Sequence, residues 1–170
     1  FLFGVNFSFY YYLLIRKVKD AFRMEEVRWN FFIFLGAVAL ITVSLVAEGG
    51  AVGESIQTVA FQVASVMTTT GYATTDFNLW PEVSRGIMVV LMFIGACAGS
   101  TGGGIKVSRI LILWKSIKKE FSSLVHPQEI RKIRLNGQPV AHNAIRSTNV
   151  FLSVHILMLV LSTLVISIDG

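Results

Sequence analysis

The sequence predicts an all-α polytopic membrane protein in which a spanning helix, a re-entrant loop and a broken helix follow one another. Hydrophobic residues make up 54% of the 170 residues and charged residues only 15%, a balance typical of membrane proteins. Two uncharged apolar runs are long enough to cross a bilayer. Between them lies a stretch that is too interrupted by Thr and Gly to be an ordinary span.

The two apolar runs are residues 29–47 and 147–168. At 1.5 Å per residue the first covers about 28 Å, close to the hydrocarbon thickness of a bilayer. The second is longer and can cross with some tilt. We therefore expect a span at 29–47, and another that begins the final segment, 147–170. Residues 1–28 are expected to contain the end of a preceding helix, which is aromatic and apolar, and a connector.

The segment after the first span is predicted to enter the membrane and leave on the same side. Residues 54–67 have a helical pattern but cover only about 21 Å, which is too short to cross. Residues 68–74, TTTGYAT, do not favour continuation of that helix. We expect a re-entrant half-helix at 54–67 followed by irregular backbone at 68–74.

A second irregular segment is predicted within the next helix, residues 82–121. Five of the ten residues in 95–104, GACAGSTGGG, are glycines, and each costs about 1 kcal/mol relative to Ala in a helix interior. We expect the helix to break there, near the bilayer centre, and to resume near Ile105. Irregular backbone at membrane depth is tolerated only where protein buries it or where it lines a water-filled path. Two such segments indicate a pore or a transport site.

The distribution of charge predicts the orientation. Residues 16–28 hold five basic and three acidic side chains and residues 106–146 hold nine basic and two acidic, whereas residues 48–85 hold four acidic and one basic. Because cytoplasmic segments carry an excess of Lys and Arg, the first two segments, with the connector 122–146, are expected to be cytoplasmic and the third external. The basic residues lie between apolar runs rather than on one polar face, so we do not expect nucleic-acid binding.

The irregular segment 68–74 resembles the Thr-Val-Gly-Tyr-Gly filter of potassium channels. Potassium sheds its water only where oxygens replace the hydration shell, and stacked backbone carbonyls from several such loops supply them. The residues whose carbonyls are expected to bind potassium are Thr69, Thr70, Gly71 and Tyr72. Ala73 stands where the channels have their second glycine, which predicts fewer ordered ion sites. Alternatively, residues 68–75 are a polar turn between two helices.

Together with residues 95–106, GACAGSTGGGIK, this segment resembles the third repeat of the membrane subunit of bacterial Trk potassium uptake systems, in the Trk/Ktr/HKT superfamily. Proteins of that family carry four linked membrane-loop-membrane repeats around one pore. The resemblance implies that residues 29–121 form one complete repeat of a longer chain, with a potassium-channel-like pore and a glycine-rich gate beneath the filter. The implied gate residues are Gly95, Gly99, Ser100, Thr101, Gly102, Gly103 and Gly104.

The resemblance also implies the function, which is potassium uptake across the bacterial cytoplasmic (inner) membrane, with potassium as substrate. The implied partners are a cytoplasmic nucleotide-binding regulatory subunit and a second copy of the full-length chain, besides the lipid bilayer. No catalytic constellation is present, so we expect neither enzyme activity nor a cofactor. His126, His142 and His155 have no companion at metal-ligand spacing, and Cys97, the only cysteine, is expected to be a small packing residue.

Several alternatives remain open. Lys106 and Arg109 are either anchors at the inner interface or charges that act on the gate, and the glycines of 95–104 could instead serve close helix packing. Asp76 and Glu82 either concentrate cations at the pore mouth or are simply solvated. A homotetrameric single-repeat potassium channel would need only two spans and one loop per chain. A non-conducting membrane anchor would leave both irregular segments unexplained.

Overall fold

The computed structural model describes residues 1–125 and 133–168, and the chain divides into two compact units, 1–108 and 109–170. The helices of the described residues are α1 (Phe7–Leu14), α2 (Val18–Arg23), α3 (Glu25–Ala47), α4 (Val52–Met67), α5 (Glu82–Phe93), α6 (Val107–Val125) and α7 (His142–Ile168). Short 3-10 turns at Leu2–Gly4 and Phe77–Leu79, and the strands β1 (Arg134–Leu135) and β2 (Gln138–Pro139), complete them.

Helices α3 and α7 are, among the described residues, the two that are long and apolar enough to cross a membrane. Both begin before the uncharged runs at 29–47 and 147–168. The first turn of α3 includes Glu25 and Glu26, which are favourable there because carboxylates complement the positive end of a helix. At its other end Gly49 adopts φ +98°, and Gly50 N–H bonds to Leu45 O at 3.1 Å, as in a Schellman motif.

Helix α4 follows that tight turn and packs against α3 and α5. Its 16 residues extend about 24 Å, whereas the 23 residues of α3 extend about 34 Å. Helices α3, α4 and α5 share one apolar core, formed by Ala37, Ile41, Val59, Val63, Met67, Trp80, Met88 and Leu91. This core holds the C-terminal end of α4, where the predicted filter begins, against α3 and α5.

A second apolar cluster lies at the start of the chain. It joins α1, α2 and the first turns of α3 through Val5, Phe9, Ala21 and Val27. Helix α1 begins after Asn6, whose side-chain oxygen accepts the Ser8 N–H at 2.8 Å, as expected of an N-cap. The chain that precedes the first span is therefore packed against that span and is more than a simple connector.

The second unit contains a hairpin that the sequence analysis did not predict. Strands β1 and β2 are antiparallel and are joined by Asn136 and Gly137, both with positive φ, the conformation that an Asn-Gly hairpin turn requires. Lys115 donates a hydrogen bond to Arg134 O at 2.8 Å, which attaches the hairpin to α6. Residues 126–132, which include His126 of the predicted connector, lie outside the described residues.

Replacing Ile41 by Ala should destabilise the folded protein, because its fully buried side chain fills the core between α3, α4 and α5. We expect a loss of about 2–4 kcal/mol in the free energy of unfolding, measured by thermal unfolding in detergent. Leu40→Ala is the matched control, because Leu40 is 62% exposed on the same helix. Equal losses for the two variants would contradict this packing.

Candidate ion pathway

The predicted filter starts where α4 ends. Thr69 has φ +54°, and Thr70 N–H bonds to Ser65 O at 2.9 Å, so that Thr69 occupies the position of a Schellman motif that is usually glycine. A β-branched residue is strained at positive φ and persists there only when surrounding contacts hold it. Gly71 also has positive φ, +79°, whereas Ala73 does not.

Two buried side chains of α4 hold the far end of this segment. Gln62 is 1% exposed, and its Nε2 donates to Thr75 O at 2.6 Å. Ser65 Oγ donates to Tyr72 O at 2.5 Å. The sequence analysis missed both residues, although their spacing of three in the otherwise apolar C-terminal half of α4 puts them on one face. Two polar residues on one face of an apolar stretch are the signal that could have identified them.

The residues between the end of α4 and these contacts, Thr69 to Gly71, are exposed. No described residue donates a hydrogen bond to the carbonyl oxygens of Thr69, Thr70 or Gly71. The Tyr72 side chain does not pack behind the segment, because it is 74% exposed in the described chain. The structure thus leaves three of the four predicted ligand carbonyls without a donor and gives one, that of Tyr72, to Ser65.

The glycine-rich segment is a loop whose two ends are joined by backbone hydrogen bonds at Phe93, Gly95 and Ile105, which we call the neck. Helix α5 ends at Phe93 and α6 begins at Val107. Across the neck, Gly95 N–H bonds to Ile105 O at 2.8 Å, and Ile105 N–H bonds to Phe93 O at 3.1 Å. A Cβ on Gly95 would overlap the Gly103 carbonyl oxygen, so this position requires glycine. All seven predicted gate residues lie inside the neck, as Gly95, Gly99, Ser100, Thr101, Gly102, Gly103 and Gly104.

The loop contacts the filter segment directly. Gly103 N–H donates to Thr69 Oγ1 at 2.8 Å, and Thr69 Oγ1 in turn donates to Thr68 O at 2.7 Å. A Cβ on Gly102 would lie 3.5 Å from Thr68 O, so this part of the loop also approaches the end of α4 closely. The strained Thr69 therefore supplies the hydroxyl that joins the two irregular segments.

The loop is also attached to the start of the chain. Cys97 N–H bonds to Gly4 O at 2.9 Å, and Phe7 N–H bonds to Gly99 O at 3.2 Å. Thr101 Oγ1 donates to Phe3 O at 3.3 Å. Cys97 is fully buried, in keeping with a packing residue.

The two predicted gate or interface charges have different surroundings. The Lys106 ammonium donates to Ser100 O at 3.4 Å and to Gly102 O, so it braces the loop from within. The Arg109 guanidinium lies 3.8 Å from the centre of the Phe151 ring, a cation–π contact in the second unit. Of these two described charges, Lys106 is the one that bonds to the loop.

Glu26 is a further residue at the loop that the sequence analysis missed. It is 3% exposed, and its Oε1 accepts the Ala98 N–H at 2.5 Å and the Ser108 N–H at 3.2 Å. In the sequence it is one of several charges in a basic connector. The signal that could have identified it is its spacing of four from Asn30, which puts two polar residues on one face at the start of an apolar helix.

The acidic residues near the predicted pore mouth have local roles. Asp76 Oδ1 accepts the Asn78 N–H at 2.9 Å and the Asn78 Nδ2 at 2.8 Å, which stabilises a 3-10 turn. Glu82 lies 3.6 Å from the Arg85 guanidinium on α5. Within the described ranges no three His, Cys, Asp or Glu side chains form a group that could hold a metal ion.

Comparison with families of known proteins matches residues 6–170 to the TrkH family, described as a cation transport protein. The Trk system potassium uptake protein TrkH of Salmonella typhimurium is 32% identical over 170 residues, which are 98% of this chain and 35% of that protein. TrkH of Escherichia coli K12 matches with the same identity and coverage. The chain thus spans about a third of the length of these relatives.

A solved structure agrees with the sequence comparison. The crystal structure of the potassium transporter TrkH from Vibrio parahaemolyticus aligns with a TM-score of 0.86 at 28% identity, over 96% of this chain and 36% of that one. The predicted family resemblance and fold class, an all-α polytopic membrane protein of the bacterial inner membrane, are confirmed by these matches. They also confirm that the chain is a transporter segment rather than an enzyme. The chain belongs to the TrkH family of cation transport proteins.

Proposed function

We propose that the full-length protein containing this chain takes up potassium through a filter formed by residues 68–74 and a gate formed by the loop 95–104. The observation that carries the proposal is Thr69. Its backbone is strained at the first position of the filter, and its hydroxyl accepts a hydrogen bond from the loop. The relatives that match nearly the whole chain are named potassium uptake proteins.

The open carbonyls support the filter. Thr69, Thr70 and Gly71 are exposed and no described residue donates to their carbonyls, so these oxygens are available to replace the hydration shell of a cation. Positive φ at Thr69 and Gly71, with Thr70 between them, can present successive carbonyls on one side of the chain. The Tyr72 carbonyl keeps a second lone pair beside its bond to Ser65, so it can serve as the fourth ligand.

The position of the loop supports the gate. Helix α4 is about 10 Å shorter than its antiparallel neighbour α3, so the filter begins well before the level of the first turn of α3. The loop contacts Thr69 at one extreme and Glu26, in that first turn, at the other. It therefore fills the interval between the filter and the first turn of α3. A water-filled path descending from the filter would meet the loop.

Lys106 fits a closed gate. Its ammonium binds two loop carbonyls and so stabilises this loop conformation. A positive charge at that level also repels cations that have passed the filter. Arg109, with its guanidinium over Phe151, serves as an anchor at the inner interface.

We also propose the assembly that the family resemblance implies. Residues 29–121 form one of four repeats, and the full-length chain works in a Trk-type system with a nucleotide-binding regulatory subunit and a second copy of itself. The alternative, a homotetramer of single-repeat subunits, is not favoured, because the matched region is only 35% of each relative's chain. Arg131 and Lys132, in the basic connector that could dock the regulatory subunit, lie outside the described residues.

Replacing Gly71 by Ser should lower the preference for potassium over sodium. The added Cβ meets no atom within 4 Å, so the effect comes from backbone strain at φ +79°, about 1–2 kcal/mol, which turns the carbonyl. The measurement is the flux ratio of the two ions through the full-length protein in liposomes. Gly53→Ser is the control, because it adds the same side chain in open space without positive φ. An unchanged ratio in Gly71→Ser would refute the filter.

Deleting residues 99–103 should raise potassium flux per folded protein and make it less dependent on the regulatory subunit. The deletion removes the contacts to Thr69 and Lys106 but keeps the neck between Gly95 and Ile105. Folding is checked by size-exclusion profile. A packing role predicts lower yield and lower flux, so a well-folded deletion with unchanged or reduced flux would rule out the gate.

Replacing Thr69 by Val should weaken the connection between filter and loop. It keeps the branched shape but removes the acceptor of the exposed Gly103 N–H, at a cost of about 0.5–1.5 kcal/mol in the free energy of unfolding. Thermal unfolding in potassium should show this loss, together with raised flux. Thr69→Ser, which keeps the hydroxyl, and Thr74→Val, at an exposed position, are the controls. Equal stability of Thr69→Val and Thr74→Val would argue against the connection.

A further inference from the structure

The Glu26 carboxylate connects three segments that are distant in sequence. Its Oε1 accepts the N–H groups of Ala98 in the loop and Ser108 in α6, and its Oε2 lies 3.4 Å from the Asn6 amide nitrogen, which donates to it. Among residues 1–125 and 133–168, no basic side chain forms an ion pair with it. A buried carboxylate of this kind is costly unless hydrogen bonds compensate, so its three donors are essential to its placement.

The surrounding helices favour negative charge at this point. Glu26 lies in the first turn of α3, Ser108 in the first turn of α6, and Asn6 is the N-cap of α1. Three helix N-termini, each carrying partial positive charge, therefore converge on one carboxylate. Bonds from N–H groups to a carboxylate are also stronger than neutral ones.

We propose that Glu26 is the positioning residue that holds the glycine-rich loop in its closed place, a role that rests on the proposed gate. Of the two N–H groups bound by Oε1, that of Ala98 lies within the loop and that of Ser108 lies in the first turn of α6, just beyond the loop. The carboxylate thus joins the loop, and the helix that follows it, to the first turn of α3. Moving the loop away from α3 requires the Ala98 bond to break, whereas the Thr69 and Lys106 contacts restrain residues 100–103.

Glu26→Gln tests the proposal in the full-length protein. The amide keeps the size of the side chain and its oxygen can still accept from Ala98 and Ser108, but the charge that strengthens these bonds is lost and its nitrogen faces the Asn6 amide donor. We expect potassium flux per folded protein to rise severalfold. Asp20→Asn is the control, because it removes the charge of an exposed carboxylate six residues earlier in the sequence, in α2. If Glu26→Gln behaves as Asp20→Asn does, the proposal is overturned.

A second readout does not depend on ion flux. Cys97 adjoins Ala98 and is fully buried, so the rate at which its thiol reacts with a membrane-permeant maleimide reports release of the loop. Any cysteine elsewhere in the full-length chain is replaced beforehand. We expect Glu26→Gln to accelerate labelling about tenfold, which corresponds to about 1.4 kcal/mol of lost restraint. Labelling that stays at the parent rate would contradict the anchor.

The design separates failure of the anchor from failure of the gate. In the background that lacks residues 99–103, Glu26→Gln should add no further flux, and an additive rise would refute its action through the loop. If the deletion alone leaves flux unchanged, the gate is wrong, and Cys97 labelling still decides whether Glu26 holds the loop. Should Glu26→Gln fail to fold, Glu26→Asp keeps the charge but shortens the reach. Its Cys97 should then be labelled faster than that of the parent protein, and labelling at the parent rate would again overturn the proposal.

Discussion

The structure depends on one constraint: in a membrane-spanning chain, backbone N–H and C=O groups outside helices need partners that bulk water does not supply. The glycine-rich loop meets it with acceptors from four separate places, namely Ile105, Gly4, Glu26 and Thr69. The far end of the filter segment meets it through Gln62 and Ser65. Because these partners lie on different elements, neither irregular segment can hold its conformation without the surrounding helices.

Three carbonyls of the filter segment are exceptions to this pairing of backbone groups. The carbonyls of Thr69, Thr70 and Gly71 receive no hydrogen bond from the described residues, although the neighbouring polar groups of the filter and loop are largely paired. In the proposed filter, these exposed acceptors are the oxygens available to a cation. A dehydrated monovalent cation meets the requirement of several converging carbonyl oxygens, which agrees with the proposed uptake of potassium.

The three packed helices α3, α4 and α5 and the glycine-rich loop are stabilised by different forces. Helices α3, α4 and α5 share a continuous apolar core, with Ile41, Val63 and Met88 fully buried. The loop is held mainly by single hydrogen bonds, among them one to the Glu26 carboxylate and two from the Lys106 ammonium. An element restrained by a few polar contacts on a rigid apolar frame can exchange between two arrangements at small cost. This division is what a movable barrier next to a fixed filter requires.

The fold class and the family could be inferred from the sequence alone, because run length, glycine clustering and the filter motif are local properties set against a known bilayer thickness. The order of helix, half-helix and interrupted helix, seen in α3, α4 and the α5–α6 pair, follows from the same patterns. Tertiary structure decided which polar side chains serve the site. Glu26 bonds to Ala98 across 72 positions of sequence, and Gln62 faces the filter from an apolar helix. Such contacts depend on how helices pack together, and neither residue periodicity nor charge distribution carries that information.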